Sequence, residues 1–431
     1  MILTRTYELL IDNPEHRDRL DYVSNTLRTA YNDLLGITIE DYKENDNQKK
    51  LLNGYNLRDY LIQNRSGTEY EFFYSSIVKN TALRLKNSYK NFFEGRGFPK
   101  FKAFNRKWFS LYYDEAAKSP KVEGNKVTIK LGKDKDGNNL NFQCGIKGYI
   151  DEEFKTCRII KRKDKNKYFI QFVVNLPDKK RKEFIYSKDW ISIDPNHKNF
   201  FGAVDSNHCS FEVNRMNVAK KLDKEIDRVK SKLGNKNKHS RRHKHLQNVL
   251  YRLYNKRDEQ IKNCLYELAN YIAKRYNVVI MGNYTPSTDV AKYRNMRRSM
   301  LNQTHIGKFR NILKHVCNKY GKVLIVSDER NTTKRCCITE KLTYRPPKVR
   351  HWMVGDRLVL RDSNSSVNIA LKVIDLPEDY VEKVNLSTID VNLDKSFRKK
   401  LKICLAQTIQ ENKDLGVLRN DVQHHFYENT W

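Results

Sequence analysis

Trp190-Ile191-Ser192-Ile193 read as a short apolar strand that stops at Asp194. Pro195-Asn196 turn the chain, and Phe200-Phe201-Gly202-Ala203-Val204 begin a second strand. This hairpin constrains the fold more than any other stretch. A carboxylate at the end of an apolar strand is either a turn-former or an acid kept for chemistry. The turn alone does not decide between them; the order of the segments around it does.

The chain of 431 residues has room for two or three domains and a sizeable core. Its 83 Lys+Arg stand against 51 Asp+Glu, a formal net charge of +32 spread from end to end. A field of that size favours a polyanionic partner, nucleic acid first. No apolar run is long enough to span a bilayer, and MILTRTYELL has none of the parts of a signal peptide. Of the eight cysteines only Cys336 and Cys337 are close in sequence, which indicates free thiols in a reducing cytosol. The expectation is a cytoplasmic, nucleoid-associated protein with no membrane partner.

In the N-terminal half, residues 2–11 alternate as a strand, and helical patterns follow over about 14–35 and 69–93. Residues 45–68 read as a polar connection between helices. Phe92-Phe93 end the second helix, and Gly97-Phe-Pro-Lys-Phe-Lys102 follows. There Lys100 and Lys102 interleave with Phe98 and Phe101, a pattern suited to backbone contact and base stacking. Short alternating segments, with an Asp136-Gly137 turn among them, then predict a small β-barrel built with the N-terminal strand.

In the C-terminal half, residues 215–275 predict a helical hairpin. Leu222, Ile226, Val229 and Leu233 form an apolar stripe, and the chain breaks at Gly234-Asn235. Its tip, 236–245, is the densest basic stretch, with Lys236, Lys238, Arg241, Arg242 and Lys244, and Arg252 follows. These six residues, with Lys100 and Lys102, are the candidate nucleic-acid contacts. A β-run over 276–282, a helix over about 301–320 and a third run over 323–329 complete an α/β pattern. Asp362 lies near the start of a further helix.

Taken in order, these segments resemble the transposon-encoded TnpB proteins and the miniature type V-F-like CRISPR effectors. The family's G-F-P-K-F-K looks like Gly97–Lys102, and its I-D-P-G looks like Ile193–Asn196, with Asn196 in place of Gly. Its E-x-x-T-S-K-x-C looks like Glu329–Cys336, and its D-R-D-x-N-A-A-x-N-I looks like Leu360–Ile369. The resemblance implies an α+β, multi-domain fold: an RNase H-like (RuvC) α/β domain with a helical insert, preceded by a small β-barrel (wedge) interrupted by a helical recognition lobe. The boundaries that follow are 1–13 for the first barrel strand, 14–95 for the recognition lobe and 96–185 for the rest of the barrel. Residues 186–373 make the nuclease domain, with the basic hairpin 215–275 and a degenerate zinc-ribbon region 330–358, and 374–431 form a C-terminal extension.

RuvC-like nucleases need three acids to hold two divalent ions at the scissile phosphate. Asp194 fits the first and Asp362 the third. Asn283 stands at the second, by analogy with a V-G-D form of that segment, and a neutral amide holds Mg²⁺ poorly. The family's zinc ribbon has two C-x-x-C pairs. Here Cys336 keeps the first position, Thr339 stands three residues on, and 351–357 contain no Cys, so neither zinc nor strong Mg²⁺ binding is expected.

The resulting expectation is a guide-RNA-dependent, sequence-specific binder of double-stranded DNA with an inactivated nuclease, acting in transcription regulation. The C-terminal extension, with Phe426, Tyr427 and Trp431 as anchors, would dock a transcription factor or RNA polymerase component. A homodimer sharing one guide stays open. One alternative is an active Mg²⁺-dependent RNA-guided endonuclease in which a displaced acid, such as Asp289 or Glu329, completes the site. The other is an unguided nucleic-acid-binding accessory of a transposon.

Overall fold

The computed structural model describes residues 2–44, 56–104, 108–114, 119–150, 152–162, 166–175, 189–196, 199–213, 219–284, 305–346, 348–386 and 389–391. The chain divides into two compact units, Met1–Pro177 and Asp178–Trp431.

The first unit is built on an open, half-barrel sheet of seven strands. Its strands are β1 (Ile2–Leu10), β2 (Leu111–Tyr113), β3 (Lys121–Glu123), β4 (Lys126–Ile129), β5 (Phe142–Ile146), β6 (Phe154–Arg162) and β7 (Lys167–Asn175). They lie in the order β2-β6-β7-β1-β5-β4-β3. The N-terminal strand is central: it runs antiparallel to β7 from Ile2↔Asn175 to Glu8↔Phe169 and then meets β5.

Three helices belong to this unit: α1 (Pro14–Glu44), α2 (Asn56–Gln63) and α3 (Ser75–Phe93). Leu20, Leu27 and Leu34 fall at seven-residue spacing on α1 and are buried in one cluster with Ile77 and Leu85 of α3 and Ile159 and Phe172 of the sheet. Helices and sheet therefore share one core. The sequence reading separated a helical lobe from a barrel; an open sheet has a bare apolar face, and these helices cover it. The expected polar connection over 45–68 also contains α2, which forms because Leu57 and Leu61, four residues apart, are both buried.

The second unit carries a six-stranded sheet: β8 (Trp190–Pro195), β9 (Phe201–Asp205), β10 (Ser210–Val213), β11 (Val278–Gly282), β12 (Val323–Ser327) and β15 (Ile389–Val391). The order is β12-β11-β8-β9-β10-β15. β8, β9 and β10 pair antiparallel, and β11 and β12 join in parallel on one side. β15 pairs in parallel with β10 on the other side. The helices α4 (Lys220–Gly234) and α5 (Arg241–Arg275) stand between β10 and β11, and α6 (Ile306–Tyr320) between β11 and β12. A small hairpin, β13 (His351–Val354) and β14 (Arg357–Leu360), precedes α7 (Arg361–Leu371) and a short α8 (Tyr380–Lys383).

Strand alternation sorts the sheet's side chains between two cores. Ile191, Ile193, Phe201, Ala203, Phe211, Val213, Val279 and Met281 pack with residues of α5 and α6. Trp190, Val204, Val278 and Ile280 pack with Val367, Ile369 and Ala370 of α7. Part of the C-terminal extension returns to this second core: Tyr380 is buried against Trp190 and donates its hydroxyl to the Asp205 carbonyl at 2.7 Å. Phe426, Tyr427 and Trp431 lie outside the described residues. Among the described residues no helix is long and apolar enough to cross a membrane.

Candidate active site

Asp194 is the penultimate residue of β8, on the face covered by α7, in step with Trp190 and Ser192. In the β8–β9 ladder it pairs with Gly202, and Gly202 pairs with Glu212 of β10. On the other side Ile193 pairs with Met281, so one step further brings Gly282 level with Asp194. The row across four strands is Gly282, Asp194, Gly202, Glu212.

Both glycines in this row are seats for acids from elsewhere. A Cβ at Gly202 would stand 2.9 Å from the Cβ of Asp362. Helix α7 comes that close because small, fully buried residues, Ser363 and Ser366, meet the sheet. Ser192 donates to the Ser366 carbonyl at 2.7 Å, and the hydroxyls of Ser210 and Ser363 meet at 2.8 Å. A Cβ at Gly282 would collide with the carboxylate of Glu329. Glu329 Oε1 accepts from the Tyr284 N–H at 3.0 Å, which fixes it there.

Asn283 lies one residue past the row and is exposed, its Oδ1 accepting from the Glu329 N–H at 3.4 Å. The residue level with Asp194 is therefore Gly282. Of the two displaced acids considered, Glu329 sits in this row and Asp289 lies outside the described residues.

Two asparagines of α7 hold the loop that carries Glu329. Asn364 accepts from the Cys337 N–H at 2.8 Å and donates to the Arg335 carbonyl at 2.8 Å. Asn368, one turn on, donates to the carbonyls of Thr332 and Arg335 at 2.9 and 2.8 Å. Cys336 and Cys337 are both buried. Burial pushes the Cys337 thiol up to about 12, and Ile338, Trp352 and Val354 pack on the same cluster. Apolar packing and amide hydrogen bonds thus anchor this ribbon to the unit's core.

Burial comes first, and the charges of Asp362 and Glu329 second, in pushing the Asp194 carboxyl well above its usual range. Burial also raises Glu329, opposed by the Tyr284 N–H and the Arg310 charge. Asp362 is differently placed. Its Oδ2 accepts from Arg350 at 2.9 Å and from Asn196 at 2.8 Å, and Arg361 lies 3.4 Å from its Oδ1. Arg350 also reaches Glu212 at 3.5 Å. Asn196, where the resembling proteins carry Gly, has a task that glycine cannot perform. Among the described residues no three His, Cys, Asp or Glu side chains form a ready ion cage.

The predicted nucleic-acid contacts divide. Lys236, Lys238, Arg241, Arg242, Lys244 and Arg252 are all exposed around the tip of the α4–α5 hairpin. Ser240 caps α5 by accepting from the His243 N–H at 3.1 Å, and Arg257 pairs with Asp223 at 2.5 Å to join the two helices. Lys100 is exposed as well. Lys102 is half-buried: its Nζ stands 5.0 Å over the Tyr31 ring, and its backbone is bonded to Asn32 and Arg28, so it straps the loop to α1. Phe101 and Phe104, 60% and 62% exposed, present their rings to solvent, and Phe98 is 39% exposed.

Residues 307–369 match the family model described as Cas12f1-like, TNB domain. The fold is similar to the Cas12f1 chain of a cryo-EM Cas12f1–sgRNA–target DNA complex, with a TM-score of 0.58 and 13% identity over 85% of this chain and 84% of that one. At that identity the likeness is one of fold. A protein of Acanthamoeba polyphaga mimivirus named as a putative transposase is 26% identical over 165 residues, 37% of this chain; the match spans 34% of that relative. These matches support a likeness to the TnpB/Cas12f-like family. The family-model match runs from α6 through the Glu329 loop and the ribbon to α7, so it includes two of the three acids, Glu329 and Asp362.

Proposed function

We propose that this protein is an RNA-guided DNA endonuclease whose second unit is an RNase H-like nuclease domain of the RuvC type. The observation that carries the reading is the Glu329 carboxylate in the Gly282 seat, in one row with Asp194, which also feels the charge of Asp362. Three antiparallel strands followed by two parallel ones support the domain assignment. The expectation of an inactivated site rested on Asn283, and the acid that matters under this reading is Glu329.

The donor set suits a hard divalent cation, since Asp194 and Glu329 offer carboxylate oxygens and their mutual repulsion is what a cation relieves. Asp194 and Glu329 would hold it, with Asp362 once Arg350 lets go. Bound divalent ions in such sites activate water and stabilise the leaving oxygen of a phosphodiester. The chain's own residues orient that chemistry: α7 sets Asp362 over Gly202, and Tyr284 fixes Glu329.

Guide RNA and target double-stranded DNA are the partners this reading takes. The net charge of +32 and the exposed basic tip of α4–α5 suit backbone contact, with base pairing supplying sequence.

A second reading, a guided binder that does not cut and serves transcription, is favoured by one observation: Asp362 is held by Arg350 and Arg361. Its recruiting role would rest on Phe426, Tyr427 and Trp431. The test is to purify the protein expressed with its flanking DNA, sequence the bound RNA, and offer a matched duplex with Mg²⁺. Cleavage abolished by Glu329→Gln establishes the first reading. Guided binding without a cut establishes the second. Binding that ignores the RNA sequence points to an unguided accessory.

A further inference from the structure

The end of β11 is held by an arginine that no sequence motif singles out. Arg310 of α6 donates through Nη2 to the Gly282 carbonyl at 3.2 Å and to the Tyr284 carbonyl at 2.6 Å. These carbonyls bracket Asn283. The N–H of Tyr284, in the same turn, is the donor to Glu329 Oε1 at 3.0 Å. One guanidinium therefore fixes the turn from which Glu329 takes its hydrogen bond, and its charge acts on Glu329 directly.

A clamp for the backbone alone would not need this residue. Carbonyls at a strand end are satisfied as well by water or a neutral donor. Arg310 brings a charge into a half-buried position and leaves its Nε buried with no hydrogen-bond partner, which is costly. A cation suits this place because the Glu329 carboxylate, carried on a loop, must be held beside another, Asp194.

We propose that Arg310 is a positioning residue for Glu329, fixing the Gly282–Tyr284 turn so that the carboxylate stays in the row with Asp194. The inference rests on Glu329 being the second metal-binding acid.

The test uses the full-length protein with its bound RNA and reads metal binding at the site itself. Iron(II) with ascorbate cuts a polypeptide beside bound metal, so fragments ending near Asp194 report this site and not iron on the RNA. Arg310→Met raises the iron(II) concentration for half-maximal cutting about tenfold, the effect of losing an outer partner of a metal ligand. Arg310→Lys, which keeps charge and one donor, shifts it by less than about threefold. In a Glu329→Gln background Arg310→Met adds nothing.

Three results overturn the proposal. If Glu329→Gln leaves cutting near Asp194 unchanged, the second-acid reading fails and the inference with it. If Glu329→Gln weakens cutting but Arg310→Met matches wild type, Glu329 stands and Arg310 does not. If Arg310→Met costs as much in the Glu329→Gln background as in wild type, Arg310 is a clamp for the strand only. Should Arg310→Met not fold, Arg310→Gln is read in the same way against Arg310→Lys.

Discussion

The Glu329 carboxylate occupies the space that a Cβ at position 282 would fill. Any side chain there must evict it. Gly282→Ala is therefore expected to lower cleavage of a matched duplex on the order of a hundredfold, the usual result of misplacing a reacting group by an ångström. Guided binding, measured by gel shift in EDTA, stays within about twofold of wild type, because the change leaves the exposed basic side chains of the α4–α5 tip in place.

Asp194 is buried and pushed toward its protonated form by burial and by two neighbouring acids. Asp194→Asn removes that repulsion. It is expected to abolish cleavage and to raise the melting temperature in EDTA by a few degrees, as relief of active-site strain does. A lower melting temperature would contradict the crowding described here.

Arg350 neutralises Asp362, whose side chain is 6% exposed. Arg350→Met leaves that carboxylate with Arg361 and Asn196, and the fold should lose roughly 2 kcal/mol in EDTA. Mg²⁺ should restore part of the loss in the variant and little in wild type, because the freed oxygen is a new ligand. Thermal melts with and without Mg²⁺ read both.

His305 precedes α6, and burial, joined by Arg257 and Lys308, lowers its pKa to about 4. A base depressed on folding stabilises fully above its unfolded pKa of about 6.5. That stability is lost as pH falls from about 6.5 toward the folded value. The melting temperature should drop between pH 7 and pH 5 by the equivalent of about 1–2 kcal/mol. His305→Gln should flatten that limb.

Arg241, Arg242 and Lys244 are exposed on the first turn of α5. Changing all three to Gln should weaken nucleic-acid binding evenly across sequences. It should also shallow the salt dependence by about 0.7–0.9 in log–log slope for each phosphate no longer neutralised. A change in sequence preference instead would mean that they touch bases.

Much of this architecture is legible before any coordinates. The β8–β9 hairpin, the basic helical pair and the placing of Asp194 and Asp362 all follow from local pattern and order. The second acid was harder. Val278–Gly282 is buried on both faces, so the run has no alternation to show which residues share a face with Asp194. Without it, Gly282 and Asn283 cannot be told apart. The tie between Gly282 and Glu329 is tertiary, and leaves as its sequence trace a glycine at a strand end and a glutamate in a loop. The shared core of the first unit was hidden for a related reason: a helix stripe shows that it is covered, not by what.

The sheet of the second unit begins at Trp190 and is closed at its β10 edge by Ile389–Val391. Trp190 itself packs on Tyr380. On the ribosome, the first unit has all its strands long before that edge strand is made. The second unit must wait with an unpaired edge for most of its synthesis, a state prone to aggregation. The first unit can fold while the rest is still emerging, and a chain cut short before Ile389 should be lost to aggregation even with every acid of the site present.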